Sequence, residues 1–143
     1  MAEPAVVTLH ATTVAIGGQA VVIEGASGDG KSDLALRLID RGAVLVSDDR
    51  TTLTRDGDRL TAQAPARMAG RMEVRGLGIV SVPHTGDVPV ALLVRVGGED
   101  ERLPAREERE IAGVTVRLLS VDAFRPSAAI KVEWALSRPE LPA

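Results

Sequence analysis

The run Gly25-Ala26-Ser27-Gly28-Asp29-Gly30-Lys31-Ser32 constrains this chain more than any other stretch. It fits the spacing G-x-x-x-x-G-K-[ST]. An apolar segment, Val21-Val22-Ile23, precedes it, and Leu34, Leu36, Leu38 and Ile39 follow among charged residues. A strand that feeds a glycine-rich turn and then a helix brings several backbone N–H groups and the positive helix end to one point. Glycines permit the turn, a lysine adds a mobile positive charge, and a serine hydroxyl suits a magnesium shell. Residues 25–32 are therefore read as a loop for the phosphates of a nucleoside triphosphate, with Lys31 at the outer phosphates and Ser32 at a divalent metal. Asp29 puts a negative charge inside this loop and is expected to point to solvent. The dinucleotide spacing G-x-G-x-x-G fails, because Asp33 and Ser81 stand where the third glycine belongs after Gly28-x-Gly30 and Gly76-x-Gly78.

The rest of the chain reads as α/β with more strand than helix, in one domain over residues 1–143. Strands are expected at 13–16 and 20–23 around Gly17-Gly18, and a helix over 31–41 with Gly42 as its stop. A short apolar strand, 43–46, ends at Ser47-Asp48-Asp49-Arg50. A hairpin is expected over 51–54 and 60–62, and strands at 79–82 and 90–96. Residues 97–110 read as a charged polar loop, in which Glu107 to Glu110 form a solvated face. A strand pair over 111–121 turns at Ala112-Gly113, and a closing helix covers 126–138 with Pro126 in its first turn.

Composition narrows the function. Phe124 and Trp134 are the only aromatics, so the core must be aliphatic, and the scarcity counts against single-stranded nucleic acid, which stacks successive bases on aromatic side chains. The net charge of -3 comes from interspersed charges without a basic stripe, so neither nucleic acid nor an anionic membrane is an expected partner. No cysteine is present, which removes disulfides and thiolate chemistry. Glu3 and Pro4 at the start do not resemble a secretory leader, and every apolar run is too short to span a bilayer, so a cytoplasmic protein is the expectation.

A strand that ends in Asp48-Asp49 delivers both acids to the carboxyl edge of the sheet, where ligands of open α/β sheets sit. One could hold magnesium and the other accept a proton from an attacking hydroxyl. His10, by position alone, is more commonly structural, and His84 in Pro83-His84-Thr85-Gly86 reads as an exposed turn. Glu73-Val74-Arg75-Gly76-Leu77-Gly78 offers an acid, a base and two glycines before a strand.

Together these residues resemble the catalytic domain of the HPr kinase/phosphorylase family, bacterial enzymes that phosphorylate a serine of the phosphocarrier HPr. The similarity runs from His10 through the glycine loop to Ser47-Asp48-Asp49-Arg50 and resumes at Met72-Glu73-Val74-Arg75-Gly76-Leu77-Gly78. It implies a phosphoenolpyruvate carboxykinase-like P-loop kinase fold, a strand-rich mixed sheet with a P-loop helix and a C-terminal helix. It also implies ATP and Mg2+, an HPr-type carrier of the phosphotransferase system as partner, and, since members often form hexamers, a homo-oligomer. Asp49 is implied as the base toward the target serine and as the acid in reverse, with His10 as the family's catalytic histidine. Lys31 and the loop backbone would hold the β-phosphate region, Ser32, Asp48 and Glu73 the metal site, and Arg102 matches an arginine of a short family motif. Better-known members carry an additional N-terminal domain, and a minimal catalytic form without it is expected here. The family's C-terminal Gly-Arg-Asn stretch, linked to dephosphorylation, has no counterpart in a chain without asparagine, where Arg125 is the nearest basic residue. The same lack of asparagine excludes the Asn-Lys-x-Asp guanine motif of GTPases. A small-molecule kinase and a nucleotide-sensing module without catalysis stay open beside the protein kinase.

Overall fold

Strand alternation gives the molecule two apolar layers. On the central strand β3 (Gln19–Glu24), Val21 and Ile23 point to one layer and Ala20 and Val22 to the other, all fully buried. Its neighbour β9 (Val88–Arg95) divides in the same way, with Leu92 and Val94 on one side and Val88 and Leu93 on the other. Strands covered on both faces read as continuous apolar runs, which is why both were visible in the sequence.

The structure, a computed structural model, describes residues 6–142. β1 (Val6–Leu9) pairs with β5 (Thr51–Asp56), which forms a hairpin with β6 (Arg59–Gln63). β2 (Ala11–Ile16) lies between β3 and β4 (Val44–Ser47), antiparallel to both. β9 runs parallel to β3 and, on its other side, parallel to β11 (Val114–Ser120), while its first residues pair with β6. The sheet order β1-β5-β6-β9-β3-β2-β4, with β10 (Glu107–Ile111) and β11 branching from β9, makes nine strands; β7 (Arg71–Val74) and β8 (Gly78–Ser81) form a separate hairpin. Helices α1 (Lys31–Asp40) and α2 (Ala128–Ser137) cover one face around Leu34, Leu38, Leu45, Met72 and Val132. The other face closes over Leu53, Leu60, Ile111 and Val116. Each such fully buried Leu, Ile or Val contributes about 1.5–3 kcal/mol. The described residues hold no helix long and apolar enough to cross a membrane.

Several expectations are corrected. Residues 107–110 form most of β10 rather than the end of a loop, and Arg109 of that strand pairs with Glu24 at 2.5 Å. The cross-strand partner β11 makes a strand of this run, while Glu107, Glu108 and Glu110 stay exposed as the solvated face their charge indicates. Helix α2 starts at Ala128, so Pro126 precedes it. β1 and β7 were not anticipated, and Glu73 lies within β7.

Candidate active site

β3, β4, β9 and β11 all run in one direction, so their carboxyl ends meet at one edge of the sheet. Beyond β3 comes the glycine loop, beyond β4 the pair Asp48-Asp49, beyond β9 Gly97, and beyond β11 the turn carrying Phe124. A cleft of 790 Å³ opens there, bordered by Gly28, Lys31, Ser32, Asp49, Glu73 and Phe124 among others.

In the loop, Gly30 has φ 92° and precedes α1 without a side-chain cap. A Cβ there would sit 3.0 Å from the Ala123 Cβ, so both conformation and space demand glycine. Among the described residues, the N–H groups of Gly28, Gly30, Lys31 and Ser32 donate to no protein acceptor, and the uncapped helix end aims at the cleft. The buried Lys31 donates from Nζ to the carbonyls of Gly25 (2.8 Å) and Ala26 (3.3 Å), lashing the loop across its own mouth. This donor set suits an anion. Asp29 does not point to solvent as expected. Its carboxylate accepts the Ala26 N–H at 2.8 Å and lies against Gly97, satisfying a loop donor that would otherwise be unpaired.

The two acids part company at the end of β4. Asp48 is buried and turns inward, where its Oδ1 accepts hydrogen bonds from Ser32 Oγ (2.9 Å) and Thr12 Oγ1 (3.1 Å), and its Oδ2 accepts the Glu73 N–H (3.0 Å). Among the described residues no cation pairs with this carboxylate. A buried carboxylate beside a hydroxyl, with neutral partners only, is an oxygen donor set suited to a hard divalent cation. Asp49 adopts φ 68°, which Asp tolerates better than most residues. That backbone turn sends its exposed carboxylate outward, where the His10 ring Nε2–H donates to Oδ1 at 2.7 Å. His10 sits between β1 and β2, 39 residues from its partner, and reaches it because β2 pairs with β4.

Thr12 is the residue that sequence reasoning missed. Fully buried on β2, its hydroxyl gives its single proton to Asp48 and accepts the Asp49 N–H at 3.1 Å. One side chain thus orients both acids. Nothing in the sequence separates Thr12 from Thr13, whose Oγ1 instead meets Thr51 Oγ1 at 2.8 Å on the strand's other face.

The remaining expectations divide. Lys31, Ser32, Asp48, Asp49 and His10 are brought together. Glu73 lines the cleft, but its bond to Asp48 is through the backbone N–H, not the carboxylate. Arg102 is exposed in the connection between β9 and β10 and, among the described residues, bonds to none of these groups.

A family model described as the HPr Serine kinase C-terminal domain matches residues 3–87, more than half of the chain. HPr kinase/phosphorylase of Clostridium tetani is 34% identical over 137 residues, covering 87% of this chain and 45% of that protein. Its counterpart in Mycoplasma genitalium is 45% identical over 74 residues, covering 52% of this chain and 24% of that protein. The chain thus spans at most about half the length of these curated relatives. The solved Hpr(Ser) kinase/phosphatase from Coxiella burnetii superposes with a TM-score of 0.78 at 27% identity, covering 92% of this chain and 94% of that one. With the sequence match and the shared strand-rich α/β architecture in agreement, the chain belongs to the HPr serine kinase C-terminal domain family.

Proposed function

We propose that this chain is a kinase core that transfers the γ-phosphate of ATP to a serine of an HPr-type phosphocarrier of the phosphotransferase system. The observation that carries the reading is the arrangement at the loop mouth, with Ser32 2.9 Å from Asp48 and His10 2.7 Å from Asp49. In this reading the inward carboxylate would serve a metal and the outward one would take a proton. The relatives' names supply the acceptor, HPr, and the solved relative's name supplies serine.

The free N–H groups at the start of α1, with Lys31, would hold the β- and γ-phosphates of ATP. Lys31 would exchange its two carbonyl partners for phosphate oxygens. Asp49 would take the proton of the attacking serine hydroxyl as the new O–P bond forms and the bond to the β-phosphate bridging oxygen breaks, releasing ADP. His10 positions the carboxylate, and the left-handed backbone at Asp49 keeps it out of the metal pocket. Mg2+, held by Ser32 Oγ and Asp48, would neutralise charge on the phosphate oxygens.

The test is transfer of labelled γ-phosphate from ATP-Mg to a purified HPr-type carrier. Wild type should label a carrier serine, and Asp49→Asn should lower the rate at least about 100-fold with ATP affinity nearly unchanged. Near-normal transfer by Asp49→Asn would overturn the base assignment. An unlabelled carrier with intact ATP binding would overturn the acceptor.

A further inference from the structure

The chain's two aromatic rings have different fates. Trp134 lies on α2 with the Arg138 guanidinium 4.4 Å from its centroid, a stacked pair that accounts for an exposed indole. Phe124 is 68% exposed, has no ring or cation partner among the described residues, and stands at the cleft. The backbone that carries it is tied by hydrogen bonds. Its N–H donates to Asp122 Oδ1 at 3.0 Å, and the Arg125 N–H reaches the Asp122 carbonyl at 3.2 Å. On either side of it, the carbonyls of Ala123 and Arg125 both accept from the Arg37 guanidinium of α1, the latter at 3.0 Å. The backbone is pinned to the helix that opens from the glycine loop, and only the ring is left without a partner.

Its place in the fold gives the ring a direction. β3 lies between β2 and β9 in the sheet, with β4 beyond β2 and β11 beyond β9. The glycine loop therefore has the acids of β4 on one side and the β11 turn with Phe124 on the other. In-line phosphoryl transfer puts the attacking hydroxyl and the leaving group on opposite sides of the moving phosphorus. With Asp49 and His10 marking the acceptor side, the nucleoside leaves toward β11. The ring lies beside the first turn of α1, where a Cβ at Gly30 would be 3.4 Å from its Cε1, and Leu36 of the same helix, also partly exposed, extends the apolar wall.

We propose that Phe124 is the stacking platform for the nucleobase of the bound nucleotide. The inference rests on the kinase reading above and deepens it. Stacking uses the face that every base presents, so the platform holds ATP and GTP alike, and discrimination between them would have to come from elsewhere.

The experiment is calorimetric titration of wild type, Phe124→Ala and Phe124→Trp with ATP-Mg and, separately, with inorganic tripolyphosphate-Mg. Phe124→Ala should raise the Kd for ATP roughly 5- to 100-fold and leave that for tripolyphosphate unchanged. Phe124→Trp should hold ATP as well as wild type does. Because the ring is mostly exposed, its removal leaves the core intact. Equal weakening of both ligands would overturn the proposal and make the ring a prop for the start of α1. Unchanged ATP affinity with a raised KM for the carrier would overturn it in favour of an acceptor contact. A wild type that does not bind ATP would sink the kinase reading and the platform together, whereas wild-type ATP binding that Phe124→Ala leaves unchanged would sink the base platform alone.

Discussion

Replacing Thr12 by valine removes a hydroxyl and almost no volume, which makes it a sharp probe of how the two acids are held. Thr12 is fully buried, so no water replaces what is lost. Asp48 loses the donor 3.1 Å from its Oδ1, a bond to a charged acceptor contributing about 1.5–3 kcal/mol. The Asp49 N–H, 3.1 Å from the Thr12 Oγ1, loses its acceptor at a cost of about 1 kcal/mol, reduced because this residue is exposed. Burying a methyl group in place of the hydroxyl returns roughly 1 kcal/mol. The expected net loss is about 1.5–3 kcal/mol, which a domain stable by about 5–15 kcal/mol survives folded. Urea unfolding should show a lower midpoint at an unchanged slope. Carrier phosphorylation should slow about 10- to 100-fold at little cost in ATP affinity, because the φ 68° turn at Asp49 loses its anchor and the carboxylate loses its aim. Thr12→Ser keeps the hydroxyl and should restore the rate while giving up about 1 kcal/mol of packing. A valine variant with stability within about 0.5 kcal/mol of wild type and a normal rate would refute the reasoning.

Other consequences are as direct. Lys31→Ala deletes the ammonium that spans the Gly25 and Ala26 carbonyls, and should weaken ATP-Mg binding by at least about tenfold and slow transfer as well, read by titration and label transfer. Gly97→Ala places a Cβ 2.4 Å from Asp29 Oδ2 at φ 106°, so it should dislodge Asp29 from the Ala26 N–H and cost about 1–3 kcal/mol in urea unfolding, whereas Asp29→Asn, which keeps an acceptor, should cost less. Burial by itself would raise the Asp100 carboxyl, but the Lys131 ammonium, the Asp122 N–H and Arg125 outweigh it and hold the group below its ordinary value. A depressed folded value adds stability that is complete above the ordinary carboxylate range and disappears as pH falls through the folded value. The stability gap between wild type and Asp100→Asn should therefore be constant above about pH 5 and close below about pH 4, as read by urea midpoints across pH.

Much of this protein was legible in its sequence because the informative features are local. A strand, a glycine turn and a helix start lie within a dozen residues around Gly25 to Ser32, and an apolar strand ending in Asp48-Asp49 announces its position on the sheet edge. The family similarity is legible for the same reason, since it rests on short motifs. The tertiary structure decided what depends on neighbours distant in the chain. Whether residues 107–110 are loop or strand turned on β11 being there to pair with them. The direction of Asp29 turned on Gly97, which leaves room for a carboxylate only because it lacks a side chain. Asp48 and Asp49 are adjacent in sequence, yet one is buried and the other exposed, because β2 brings Thr12 and His10 to them from 36 and 39 residues away. Residue type and spacing are written along the chain, whereas the orientation of a side chain is set by the groups that surround it, and those arrive only when the sheet assembles.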